Sequence, residues 1–302
     1  MRILVTGITG QVGSALVPRL APFGTVIAAD RTLIDLTKPD EIAGRLDEIK
    51  PDVIVNPAAY TAVDKAEDER EAAFLVNATA PAAMARWAAD KRVPLLHFST
   101  DYVFDGSGTT PWKETDAPAP LSVYGASKLA GERAIREVGG PHLIARTSWV
   151  YAPVGANFFR TIMRLAKERE ELRIVADQFG APTSASIIAE AIAAMFAAPG
   201  GVLQMIGRSG GLVHLAASNV TSWHGFATAI IEGLRARGVA LKTSRVLPIA
   251  TSEYPVKAQR PLNSRLDLTN LSQTLGISTP DWSIGLKTAI EEVYANSGER
   301  NG

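Results

Sequence analysis

The chain contains no cysteine. Disulfides, thiolate nucleophiles and cysteine-ligated zinc are thereby excluded, and the composition suits a reducing cytosol. No charge of one sign dominates either: 31 lysines and arginines stand against 31 aspartates and glutamates. With zero net charge, neither nucleic acid nor an anionic membrane is indicated as a partner. No apolar run approaches the roughly 18 residues needed to span a bilayer. Internal repeats and low-complexity segments are missing. Histidine is scarce, and His97, His142, His214 and His224 lack metal-ligand spacing, so structural roles are expected for all four. Met1 to Gly7 enter a strand pattern at once, without the features of a signal peptide, and a cytoplasmic location is expected.

What is present is an ordinary globular composition: 302 residues, 46% apolar and 21% charged. That length accommodates one large α/β domain or a domain with a smaller lobe. Residues 2–6 read as a buried parallel strand. Gly7-Ile-Thr-Gly10-Gln11-Val12-Gly13 follows, and then a helical pattern to Leu20. In a strand–turn–helix unit, glycines let the backbone approach a pyrophosphate, which then sits at the positive end of the helix. The spacing here is G-x-x-G-x-x-G rather than G-x-G-x-x-G. A second strand over 25–29 ends in Asp30-Arg31. The carboxylate is placed to bind adenosine ribose hydroxyls, and the arginine suits a 2′-phosphate, so NADH and NADPH both stay open. Asp35-Leu36 lies where a loop would cover the adenine. A crossover helix is expected over 39–49, with Pro39 in its first turn.

A third strand over 52–56 ends in Pro57-Ala58-Ala59-Tyr60-Thr61. Small residues at the carboxyl end of a strand leave room for a ligand. Residues 64–90 read as helical, with Asn77 needing a partner if buried. A fourth strand over 94–98 runs into Ser99-Thr100-Asp101. Ser122-Val-Tyr124-Gly-Ala-Ser-Lys128 then opens a helix, and the four-residue spacing puts phenol and ammonium on one face. An ammonium beside a phenol lowers the tyrosine pKa and suits it to proton transfer near neutral pH. Further on, a strand is expected over 142–146, helices over 157–170, 184–197, 223–237 and 283–295, a strand over 202–206, and a frayed tail from Ser297. The expected fold class is α/β: a Rossmann-type doubly wound parallel sheet with a smaller, interleaved C-terminal substrate lobe. Residues 1–150 would form the dinucleotide-binding domain, with later sheet elements from about 171–206, and 151–302 mainly the substrate lobe.

Gly7, Gly10 and Gly13, then Ser99-Thr100-Asp101, Tyr124 and Lys128, in that order, resemble the extended short-chain dehydrogenase/reductases. More narrowly, the chain resembles the dTDP-4-dehydrorhamnose reductase family. The strings that carry this are Thr61-Ala-Val-Asp-Lys-Ala-Glu67, Ser99-Thr-Asp-Tyr-Val-Phe104, Arg146-Thr-Ser-Trp-Val-Tyr151, Asp177-Gln-Phe-Gly-Ala-Pro-Thr183 and Arg260-Pro-Leu-Asn263-Ser-Arg265-Leu266. They span nearly the whole chain. The resemblance implies an NAD(P)H-dependent reduction of the C4 ketone of dTDP-4-dehydro-6-deoxy-L-mannose to dTDP-L-rhamnose, with a small nucleotide-sugar substrate. It implies that Gly10, Gln11 and Val12 lie along the cofactor pyrophosphate, and that Asp30, Asp35 and Leu36 hold the adenosine half. Ala59, Tyr60 and Thr61 would line the middle of the cofactor, with Tyr124 and Lys128 at the nicotinamide ribose. Thr100 and Asp101 would meet the substrate sugar and Trp149 would flank it. Arg260, Asn263 and Arg265 would reach toward the diphosphate, for which arginine has the matching charge and geometry.

Some members of that family form a dimer around magnesium, using glutamates of the first helix and of the helix after the Asp177–Thr183 string. Here the first helix has no acid and the second only Glu190. A hard cation wants several oxygen ligands, so no metal is expected, and the chain should be a monomer or a dimer not built on magnesium. Two other readings share the scaffold: another NDP-sugar reductase or epimerase, and a non-catalytic cofactor-binding regulatory subunit. The complete Thr100, Tyr124 and Lys128 set argues against the latter.

Overall fold

A computed structural model describes residues 1–298. The chain opens with β1 (Arg2–Thr6), α1 (Gln11–Leu20), β2 (Thr25–Ala29), α2 (Pro39–Ile49) and β3 (Val53–Asn56). Two short helices, α3 (Val63–Ala66) and α4 (Arg70–Phe74), lead through one wide turn at Leu75–Thr79 into α5 (Ala80–Lys91). β4 (Leu95–Thr100), α6 (Val123–Val138) and β5 (His142–Thr147) complete the first half. Then come β6 (Val150–Tyr151), α7 (Phe158–Glu168), β7 (Glu171–Val175), β8 (Phe179–Gly180), β9 (Thr183–Ser184), α8 (Ala185–Ala197) and α9 (Gly201–Ser209). β10 (Leu212–His214), β11 (Thr221–Ser222), α10 (Trp223–Ala236), β12 (Arg245–Ile249) and α11 (Trp282–Gly298) follow.

Six parallel strands form the main sheet in the order β10-β5-β4-β3-β1-β2. The order reverses direction between β1 and β3, and a doubly wound sheet opens a crevice at that switch point, beyond the carboxyl ends of its strands. The period of two decides what each face buries. Ile3, Val5, Val53, Val55, Leu96, Phe98, Leu143 and Ala145 point to one side, where α1, α8 and α9 cover them. Leu4, Ile54, Leu95 and Ile144 point to the other, beneath α2, α5 and α6. A separate apolar core joins α7, α10 and α11, built on Phe159, Ile162, Phe226, Ile230 and Leu286. Among the described residues no single helix is long and apolar enough to cross a membrane.

Two expectations from the sequence are corrected. Residues 202–206 are helical, within α9. Val202, Met205 and Ile206 are its buried side, a 3.6-residue period that a five-residue apolar run hides. The stretch 171–206 adds no strand to the main sheet: β7 pairs with β12 in a sheet of their own. The sixth strand is β10, three residues long, directly after the left-handed Gly210 and Gly211. The tail expected to fray from Ser297 lies, from residue 299 on, outside the described residues.

Candidate active site

The glycine turn sits at the switch point because a side chain would not fit there. Gly7 has φ +58°, and a Cβ on it would come 2.8 Å from the Ala58 Cα, so the turn after β1 lies directly against the end of β3. A side chain on Gly13 would collide with the Gly7 carbonyl. The N-cap of α1 is Gly10, without a capping side chain, and the first turn holds no acid. Its leading N–H groups therefore stay available to an anion at the positive end of a ten-residue helix. Gln11 Oε1 beside them is buried without a protein partner. These residues fit a dinucleotide pyrophosphate, and Val12 packs behind them against the core.

At the end of β2, Asp30 Oδ1 takes the Thr32 N–H at 2.9 Å and the Thr32 hydroxyl at 2.6 Å, which holds its pKa below the usual carboxylate value. Arg31 and Asp35 line a shallow hollow of 110 Å³ together with Lys38 and Arg45. Leu36 is turned into the core with Ile34 and Ile42.

Asn77 supplies the link between β3 and α6. It is fully buried; its Oδ1 accepts the Tyr60 N–H at 2.8 Å, and its Nδ2 donates to the Tyr60 carbonyl and to Ser127 Oγ, each at 3.0 Å. Ser127 in turn donates to the Tyr124 carbonyl at 2.7 Å. One carboxamide thus sets the distance between the Ala58-Ala59-Tyr60-Thr61 segment and α6. α6 begins cleanly because Ser122 Oγ caps it, accepting the Gly125 N–H at 3.2 Å. Gly125 is pressed against the Tyr102 carbonyl, where no side chain fits.

Thr100 ends β4 and its hydroxyl donates to Asp101 Oδ1 at 3.0 Å. It also lies near enough to Tyr124 to oppose the rise of the phenol pKa, and the Tyr124 ring meets Tyr102 edge-on at 5.5 Å. Thr100, Asp101 and Tyr124 therefore form one cluster. Burial raises the Asp101 carboxyl to about 6, against the opposing pull of Ser264 and Thr100, and its Oδ2 is buried without a partner. Such an oxygen is placed for a hydroxyl of a bound ligand.

Tyr124 corrects the sequence-based expectation. Its phenol is pushed up to about 12, mainly by burial, with Thr100 opposing. Lys128 does not lower it; its Nζ lies 3.3 Å from His97 Nε2 instead. Burial brings Lys128 down to about 8, opposed by Glu132 one turn along the helix. His97, read from the sequence as structural, is therefore in direct contact with Lys128. The signal was in the strand: alternation along β4 puts residue 97 on the same side as Leu95, the side that α6 covers.

Trp149 follows β5 with φ +49°, an unusual backbone for a side chain this large. It is stacked on Trp223 at 3.6 Å, and its carbonyl accepts the Thr183 N–H at 3.1 Å. Of the 260–265 loop, Arg260 Nη2 donates to Asp64 at 2.6 Å, and its guanidinium lies 5.9 Å from the Tyr102 ring. Its buried Nη1 has no partner. Arg265 covers Phe179 at 4.8 Å. Asn263 departs from expectation. Its Nδ2 donates to the Ser107 and Thr110 carbonyls, and its Oδ1 accepts from Arg265 twice. An amide with all its hydrogen-bonding capacity engaged this way holds the 107–110 loop and has nothing left for a ligand.

A doubly wound sheet with an uncapped glycine turn at its switch point, and a tyrosine–lysine helix beside a strand-end threonine, defines a Rossmann-type NAD(P)H-dependent oxidoreductase. The model of the RmlD substrate binding domain family matches residues 1–295. A dTDP-4-dehydrorhamnose reductase of Burkholderia thailandensis is 48% identical over 299 residues, covering 98% of this chain and 100% of that one. One of Escherichia coli is 46% identical over 98% of this chain and 99% of its own. The crystal structure of the Bacillus anthracis dTDP-4-dehydrorhamnose reductase in complex with NADP is 35% identical, with a TM-score of 0.85 over 96% of this chain and 99% of that one. The chain belongs to the dTDP-4-dehydrorhamnose reductase family.

Proposed function

We propose that this chain reduces the C4 ketone of dTDP-4-dehydro-6-deoxy-L-mannose to dTDP-L-rhamnose, with NADPH or NADH as reductant and Tyr124 as proton donor. The observation that carries this is the cluster of Thr100, Asp101 and Tyr124, with Lys128 on the same helix. Reduced nicotinamide supplies the hydride. Tyr124, held protonated at neutral pH by burial, gives its proton to the oxygen on which negative charge grows. Thr100 offers a hydroxyl to the same oxygen, a contact that strengthens as charge develops. Asp101 orients the sugar through its unpartnered oxygen, and Trp149 flanks it. Arg260 and Arg265 face the diphosphate of the nucleotide.

The α1 turn, with Gly7, Gly10, Gln11, Val12 and Gly13, takes the cofactor pyrophosphate; Asp30, Arg31, Asp35 and Leu36 border the adenosine; Ala58, Ala59, Tyr60 and Thr61 line the middle. Residues 1–150 act as the dinucleotide-binding domain and 151–302 mainly as the substrate lobe. The chain works as a monomer or as a dimer that needs no magnesium.

A coupled assay tests the reading. The ketosugar nucleotide is generated in situ, and loss of reduced-nicotinamide absorbance is followed with each cofactor. Tyr124→Phe should lower kcat by about 100-fold or more, with cofactor binding retained. Equal turnover in the variant would remove Tyr124 from its role, and no turnover in the wild type would remove the substrate assignment.

A further inference from the structure

A buried polar chain lies behind the Tyr124–Lys128 pair. Thr6, Asn56, His97 and Lys128 come from β1, β3, β4 and α6, and all four are buried. Thr6 Oγ1 donates to Asn56 Oδ1 at 2.6 Å; Asn56 Nδ2 lies 3.1 Å from His97 Nδ1; His97 Nε2 lies 3.3 Å from Lys128 Nζ. The other charges around Lys128 are few. Glu132 is on its own helix, with both oxygens held by Arg146 of β5 at 2.8 and 2.6 Å. From β4, the group that meets Lys128 is His97 itself.

We propose that His97 is the positioning residue for Lys128, and that the Thr6–Asn56–His97 chain reverses its hydrogen-bond direction when Lys128 changes charge. This rests on the assignment of Tyr124 and Lys128 made above. An ammonium can only donate. While Lys128 is charged, Nε2 must therefore present a lone pair and the imidazole proton must sit on Nδ1. Asn56 then offers its oxygen to Nδ1 and its amide N–H to Thr6. A neutral amine accepts, so Nε2 carries the proton and donates to Lys128. Asn56 Nδ2 then donates to Nδ1, and Thr6 donates to Oδ1, as in the directions given above. Between the first state and the second one proton leaves the cluster: Lys128 goes from ammonium to amine, the imidazole proton moves from Nδ1 to Nε2, and the Asn56 carboxamide turns over. The cluster goes from one positive charge to none, and the imidazole is neutral at both ends. Burial and the nearby ammonium hold His97 well below its ordinary pKa, which fits a ring that is neutral in both states.

An apolar side chain at 97 would satisfy neither state. Losing the acceptor of a charged donor costs more than losing a neutral hydrogen bond, so the ammonium would suffer most. The first test is nitrogen NMR of the intact protein with labelled histidine and lysine. The His97 proton should move from Nδ1 to Nε2 with the same midpoint as the Lys128 titration, near the value of about 8 that burial sets. A tautomer unchanged across that titration overturns the proposal. The second test is the pH profile of kcat. In His97→Leu its high-pH limb should fall by about one pH unit, and in His97→Gln, which can accept or donate, it should return to within about 0.3. Coincident profiles for wild type and His97→Leu overturn it. Should His97→Leu fail to fold, the wild-type tautomer measurement decides alone. A proton shift seen in protein that does not turn over would uphold the chain while removing the reductase assignment.

Discussion

Asp101 has one carboxylate oxygen bonded within the protein and one bare. Its folded pKa, about 6, stands above the ordinary value of 3.8. The folded protein thus binds this proton more tightly than the unfolded chain does. The resulting stabilisation is full below the unfolded pKa and is lost as pH rises through about 6. At neutral pH the site keeps a charge that folding disfavours. Asp101→Asn removes the charge while keeping the shape. Denaturant unfolding should find the variant more stable than wild type by about 2 kcal/mol at pH 8, with the gap narrowing below pH 6 and closing only below the ordinary carboxylate pKa of 3.8, while turnover falls. A gap that is constant with pH would mean that Asp101 titrates normally. Thr100, Tyr124 and Lys128 were legible as residues because their spacing places them on one strand end and one helix face. His97 was not, because its partner is 31 positions away and meets it only through strand–helix packing.

At the scale of elements, α6 is fixed to the sheet by charge as well as by apolar contact. Glu132 and Arg146 form a two-pronged pair, each side chain 2% exposed, with the guanidinium 5.1 Å from the centre of the Phe104 ring. A buried pair of this kind adds little net stability but is costly to halve. Arg146→Met alone should lower unfolding stability by about 3–5 kcal/mol, and the double variant with Glu132→Leu should recover most of it. An additive loss would show that the two side chains act separately. The start of the same helix was readable from the Ser122–Lys128 string, β1 from its apolar run and α2 from Pro39 in its first turn. α9 and β10 were not. The first hides a helical period in a strand-length run, and the second is too short to carry any period. β12 finds its partner β7 more than seventy residues back, a pairing that no local pattern encodes.

At the scale of the whole molecule, α1 and α8 are joined by an ion pair between exposed side chains. Arg19 reaches Glu190 at 3.2 Å. Sedimentation in the presence of excess chelator and of excess magnesium should give the same mass. A mass that doubles with magnesium would require a different interface. The two halves of the chain also meet through their aromatic rings. Trp149 leaves the end of β5 and Trp223 opens α10; their ring centres lie 3.6 Å apart and their planes are inclined by 9°. Indoles that close no longer absorb or emit as independent chromophores: their excited states mix, the emission is damped, and the far-ultraviolet dichroism gains a paired positive and negative band. The molecule thus has a spectroscopic gauge of its own, sensitive to any ångström-scale parting of α10 from the end of β5, with no label attached.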